Sequence, residues 1–308
     1  MAERRPGFGP LSRELYDLLI KPAESQFQDK TTLCIIPDGP LWELSFQALQ
    51  PREDHYLIED FAIFHAPSLS VLKEVKGRKG ARPAAHRSSL LAFGNPIVGT
   101  EIVGEIQDQK RGDRFDPLPD AENEVKTLAR FFKSDRSQIL IGEHADEQSF
   151  KSLAPAYNII HCATHGVFDN RHPLYSFLLF AKAKDGANDD GLLEAREIMS
   201  LKLNADLVVL SACDTARGRI RAGEGMIGLS WSFFASGCRS TLVSQWKVNS
   251  AGTADLMERF YQNLGQTPGR NQWMKADVLR LAILAVMKDG RYKHPFYWAG
   301  FMLLGDDE

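Results

Sequence analysis

Short β-branched runs alternate along the chain with segments of helical periodicity. Leu33-Cys34-Ile35-Ile36-Pro37 predicts a first strand, and His55 to Pro67 alternates enough to supply a second. Leu90-Leu91-Ala92-Phe93-Gly94 predicts a third, ended by the turn signal Gly94-Asn95-Pro96. Further strands are expected at Gln138 to Gly142, Tyr157 to Ala163, Asp206 to Ala212, Ser240 to Trp246 and Phe296 to Leu304. Apolar residues recur at helical spacing in Ala121 to Phe132, Glu224 to Ser236, Thr253 to Leu264 and Ala276 to Met287. Strands alternating with helices imply an α/β fold of three layers, α/β/α, on a mainly parallel central sheet. The later strands are continuously apolar, as strands covered on both faces must be.

Two charged, glycine-containing stretches read as loops, Gly99 to Pro119 and Lys182 to Gly191. The first separates an N-terminal lobe, 11–115, from a better patterned α/β core, 116–305. Composition adds exclusions. With 308 residues, 44% apolar and 25% charged, the chain has material for a large core and is neither a disordered segment nor a disulfide scaffold. A net charge of −3 carries no basic excess that would attract nucleic acid or an acidic membrane. No apolar run reaches the length of a membrane span, and no apolar run follows the basic residues near Met1 as in a signal peptide. Cys34, Cys162, Cys213 and Cys238 form no Cys-x-x-Cys pair, which suits reduced thiols in a cytoplasmic protein.

In an open parallel sheet, functional groups gather beyond the carboxyl ends of the strands. One predicted strand runs into Thr164-His165-Gly166 and another into Ser211-Ala212-Cys213-Asp214. A histidine and a cysteine leaving one sheet edge can act as base and nucleophile. Only about 3% of an unperturbed thiol is thiolate at neutral pH, so a nearby imidazole matters. Gly166 lets its N–H approach a carbonyl unhindered, and with the Cys213 N–H it makes a two-donor oxyanion hole. The same residues also allow a plainer role, Cys213 as a small buried hydrophobe and His165 closing a strand.

The segments Ile159 to Gly166, Leu207 to Gly218, Gly223 to Leu229, Leu242 to Val248 and His294 to Phe301 come in the order of one known family, and Pro37 to Trp42 matches its opening. The chain resembles the CHAT family from 11 to 305. These are caspase-like cysteine peptidases related to caspases and separase and often attached to tetratricopeptide repeats. Asp214 departs from the family's usual Glu at that place. The resemblance implies a caspase-like fold without cofactor, with His165 as general base, Cys213 as nucleophile, and Gly166 and Cys213 as oxyanion donors. It implies an endopeptidase whose substrate lies extended beside the strand ending at Trp246, under the control of a tetratricopeptide-repeat or other sensor. Relatives that cut after basic residues carry an acid two positions before the cysteine or after the tryptophan. Here those positions are Ser211 and Asn249-Ser250, so an uncharged P1 residue is expected in a pocket of Ser211, Trp246, Asn249 and Ser250, unless Asp214 turns inward. The two loops are candidate places of self-cleavage. The alternative reading is a catalytically silent scaffold of the same fold.

Two other patterns point elsewhere. His161 and His165 are four residues apart with Cys162 between, but on a strand they stand roughly 13 Å apart, too far to share a metal. Gly223-x-Gly225-x-x-Gly228 has the form of a dinucleotide fingerprint, yet it does not directly follow a strand and lacks the distal acid, so it reads as the start of a helix.

Overall fold

A computed structural model describes residues 8–77, 89–99, 115–169, 172–183, 189–211, 222–246, 250–265 and 274–308. The strands are β1 (Thr32–Ile35), β2 (Ala62–His65), β3 (Leu90–Pro96), β4 (Ser137–Gly142), β5 (Ile159–Ala163), β6 (Gly166–Val167), β7 (Phe177–Leu179), β8 (Leu192–Glu194), β9 (Leu207–Leu210), β10 (Ser240–Ser244) and β11 (Phe301–Gly305). The helices are α1 (Phe8–Leu19), α2 (Leu57–Asp60), α3 (Leu69–Gly77), α4 (Pro119–Leu128), α5 (Glu147–Leu153), α6 (Ala195–Ile198), α7 (Ala222–Ser236), α8 (Ser250–Gly265) and α9 (Lys275–Lys288). Eight strands form one sheet in the order β1-β2-β11-β10-β9-β5-β3-β4, and every pair is parallel except β10 with β11. The carboxyl ends of β3, β5, β9 and β10 therefore share one edge.

Side-chain alternation divides the core into two halves. Leu90, Ala92, Ile159, Ala163, Leu207, Val209 and Leu242 face a layer built by α4, α8 and α9. Leu91, Phe93, Ile160, Cys162, Val208, Leu210 and Val243 face a layer with Phe150 of α5, Ile198 of α6 and Phe233 of α7. This is the three-layer α/β/α sandwich that the alternation of elements predicts. Helix α9 shows why the layers form: Ala276, Leu279, Ile283 and Val286 are buried at spacings of three and four, one stripe against the sheet.

The structure departs from the periodicity where local capping or packing outweighs it. The expected strand at His55 to Pro67 begins as α2 instead, because the Glu59 carboxylate accepts the Tyr56 N–H at 2.7 Å and closes a helical turn. Residues Pro295–Tyr297 form a 3₁₀ turn, with His294 Nδ1 accepting the Phe296 N–H at 3.1 Å, and the last strand starts only at Phe301. Strand β3 continues past Gly94 to Pro96 through a bulge, with Asn95 in the left-handed region at φ 49°. A second, antiparallel sheet of β6, β7 and β8 has runs too short for the pattern to reveal. Gly223, Gly225 and Gly228 lie inside α7 and not in a strand-to-helix turn, so they do not form the phosphate-binding loop of the dinucleotide fingerprint. Of the two predicted loops, 100–114 and 184–188 lie outside the described residues, and the self-cleavage expectation falls largely there.

Candidate functional site

His165 leaves the carboxyl end of β5 and is 3% exposed. Its backbone is fixed from one side by the small sheet, since its carbonyl accepts the Leu179 N–H of β7 at 2.8 Å. Thr164, beside it, donates its hydroxyl to the Leu179 carbonyl. The ring is held from the other side by the chain entering α4. His165 Nε2 lies 2.8 Å from the Asp116 carbonyl, and the Phe115 ring stands edge-on to the imidazole at 5.4 Å between centroids. A carbonyl can only accept, so Nε2 carries the proton in that bond and Nδ1 is the basic nitrogen of the neutral ring.

The lead-in to α4 owes its place to the bulge in β3. Asn95 Oδ1 accepts the Leu118 N–H at 2.6 Å, and Asn95 Nδ2 donates to Glu122 Oε2 at 3.1 Å. Leu118 is the N-cap position and Pro119 opens the helix, where the missing N–H costs nothing. A cavity of about 350 Å³ lies between the bulge, Phe115 to Leu118 and His165. The imidazole forms part of its wall.

Gly166 begins β6. A Cβ added there would meet Leu178 Cδ2 and Phe168 Cζ at 3.5 Å, ordinary contact, so side-chain packing gives no reason for a glycine at this place. Ser211 follows β9, is 6% exposed, and donates its hydroxyl to Glu124 of α4. Trp246 follows β10, is 9% exposed, and its indole Nε1 donates to the Phe296 carbonyl at 3.0 Å. Its ring lies so close to Gly300 that a Cβ there would stand 3.0 Å from Cε2. Ser250 opens α8. Cys213, Asp214 and Asn249 lie outside the described residues.

Glu124 and Tyr261 are the residues that sequence reasoning missed. His161 is fully buried, with Nδ1 3.1 Å from the Tyr261 hydroxyl and Nε2 2.9 Å from Glu124 Oε1. The signal was available in part: Glu124 occupies a core-facing position of α4 together with Ala121, Val125 and Leu128, an unusual place for a carboxylate.

The described cysteines are Cys34, which is exposed, and Cys162 and Cys238, which are buried. Desolvation pushes the Cys34 thiol up to about 11 and that of Cys238 to about 12, and complete burial raises Cys162 further still. All three are free thiols. Among the described residues no helix is long and apolar enough to cross a membrane.

Comparison with known proteins adds a family and a fold. The family model of the CHAT domain matches residues 9–306. Tetratricopeptide repeat protein 28 of Homo sapiens is 27% identical over 343 aligned positions, covering 97% of this chain, and that of Mus musculus is 26% identical with the same coverage. The chain spans only 13% of the length of each. Among solved structures, the Saccharomyces cerevisiae separase–securin complex superposes with a TM-score of 0.54 at 13% identity, covering 95% of this chain and 17% of that one. The complex of Porphyromonas gingivalis RgpB pro- and mature domains superposes with a TM-score of 0.57 at 8% identity, covering 95% and 68%. At such identities the likeness is one of fold, and that fold is caspase-like.

Proposed function

Because the chain belongs to the CHAT domain family, we propose that it is a cysteine peptidase-like domain that hydrolyses peptide bonds with His165 as base and Cys213 as nucleophile. The observation that carries this reading is the bond from His165 Nε2 to the Asp116 carbonyl, which sets the tautomer and leaves Nδ1 basic beyond the end of β5. In the proposed cycle Nδ1 takes the Cys213 thiol proton, and the thiolate adds to the scissile carbonyl. The Gly166 and Cys213 amides hold the oxyanion. His165 returns its proton to the leaving amine, then takes one from the water that releases the acyl group and regenerates the thiol. The substrate strand runs beside β10, and Ser211, Asp214, Trp246, Asn249 and Ser250 shape a pocket for an uncharged P1 residue.

A tetratricopeptide-repeat segment or partner is the expected controller, a reading supported by relatives that carry this unit as a small part of a repeat protein. The buried free thiols Cys162 and Cys238 are in keeping with a reducing cytoplasmic setting.

The test is labelling by a library of electrophilic peptides, with the modified residue found by mass spectrometry in the parent chain, Cys213→Ala and His165→Ala. Burial shields Cys162 and Cys238 from the probe, and label on the exposed Cys34 is told apart by its mapped position. Label on Cys213 that requires His165 supports the dyad, and the preferred probe gives the P1 residue. Arg outranking every neutral P1 residue would overturn the pocket reading. No His165-dependent label would leave two readings, a silent scaffold or a peptidase awaiting its controller, and the search for that partner would separate them.

A further inference from the structure

Helix α4 and its lead-in touch the carboxyl ends of both strands that deliver the candidate catalytic residues. Asp116 holds His165 after β5, and Glu124, one turn and a half into the helix, meets Ser211 after β9. The Glu124 carboxylate accepts the Ser211 hydroxyl, lies 2.9 Å from His161 Nε2, and His161 in turn lies 3.1 Å from the Tyr261 hydroxyl. All four side chains are buried, Glu124 and Ser211 at 6% exposure and His161 and Tyr261 at 0%. A carboxylate in such a place is unfavourable unless it is paired, and a leucine there would simply extend the stripe of Ala121, Val125 and Leu128. Apolar contact lets a helix slide and rock over a sheet. A carboxylate bonded to one strand end and set against a histidine on its neighbour does not.

We infer that Glu124 is a positioning residue: through Ser211 it fixes where the chain leaves β9 toward Cys213, in register with the His165 that the same segment holds through Asp116. The inference rests on the peptidase reading above for its catalytic consequence, but its structural half stands alone. The Ser211 N–H donates to the Cys162 carbonyl at 3.1 Å, the last rung between β5 and β9, and its exchange reports directly on the strand end.

The experiment compares the parent chain with Glu124→Leu, which removes the acceptor, Ser211→Ala and Ser211→Thr. It reads amide exchange at position 211 against Val243 in the neighbouring β10, corrected for intrinsic rates, together with kinact and KI for a peptide electrophile at Cys213. Exchange at 211 is expected to quicken about tenfold or more in Glu124→Leu and Ser211→Ala while Val243 keeps its rate, and Ser211→Thr should restore protection by keeping the hydroxyl. Glu124→Leu should lower kinact about 100-fold and leave KI within about threefold, the mark of misplaced reacting groups and not of lost affinity. Unchanged exchange at 211, or exchange raised equally at Val243, overturns the inference. So does an unchanged kinact in Glu124→Leu where the parent chain labels normally. If the parent chain shows no His165-dependent label but exchange at 211 responds as stated, the link from α4 to the strand ends stands, whether the chain is a silent scaffold or a peptidase awaiting its controller.

Discussion

The contact between α4 and β3 places Asp116 and Glu124, and it depends on Gly94 having no side chain. A Cβ at position 94 would stand 2.6 Å from Val125 Cγ2 and 3.0 Å from the Ala121 carbonyl. Carbon atoms rest at about 3.5–4.0 Å, so Gly94→Ala must move the Val125 side chain or the helix by about 1 Å. Overpacking of this kind costs about 1–3 kcal/mol. Val125→Ala removes two buried methyl groups and should cost roughly 1.5–2 kcal/mol by itself. In the double variant the new methyl occupies the space the valine has vacated, so the two losses should fall short of additivity by about 1 kcal/mol or more. Urea unfolding of the four proteins measures this cycle. Additivity within about 0.5 kcal/mol would refute the close approach. Because α4 carries both Asp116's exit and Glu124, Gly94→Ala should also lower the labelling rate of Cys213, and Val125→Ala should partly restore it.

Gly166→Ala is expected to leave the unfolding free energy within about 0.5 kcal/mol, since only ordinary contacts await its Cβ, yet to lower Cys213 labelling by about tenfold or more. A large loss of stability, or labelling at the parent rate, would show that the glycine serves packing or nothing. His65, at the end of β2, predicts acid sensitivity. Burial pushes its imidazole down to about 4 against a smaller opposite pull from the Leu303 backbone. The unfolded chain therefore takes up a proton near pH 6.5 that the folded one refuses until about pH 4. This group's contribution is full above pH 6.5 and lost as pH falls through that window, about 3 kcal/mol in all. Urea titrations at pH 7 and pH 4 should show a smaller decline in His65→Leu than in the parent chain, and equal declines would refute the assignment.

Much of this architecture could be read from the residues in order. The continuous apolar run Leu207 to Leu210 and the threefold and fourfold spacing in Ala276 to Val286 state which faces are buried, and a strand or helix follows from each. The positions of His165 and Ser211 just past strand ends were legible for the same reason. Periodicity says that a face is covered and not what covers it. The order β1-β2-β11-β10-β9-β5-β3-β4 joins strands far apart in sequence, and no local pattern encodes such pairing. The Glu124–Ser211 and His161–Tyr261 contacts span 87 and 100 residues, so only the folded sheet brings these four side chains together. The support of His165 was hidden for a further reason: the group that holds Nε2 is the carbonyl of Asp116, and a main-chain carbonyl belongs to every residue alike. What selects that one carbonyl is the bulge at Asn95, whose side chain fixes Leu118 and with it the path of the chain into α4.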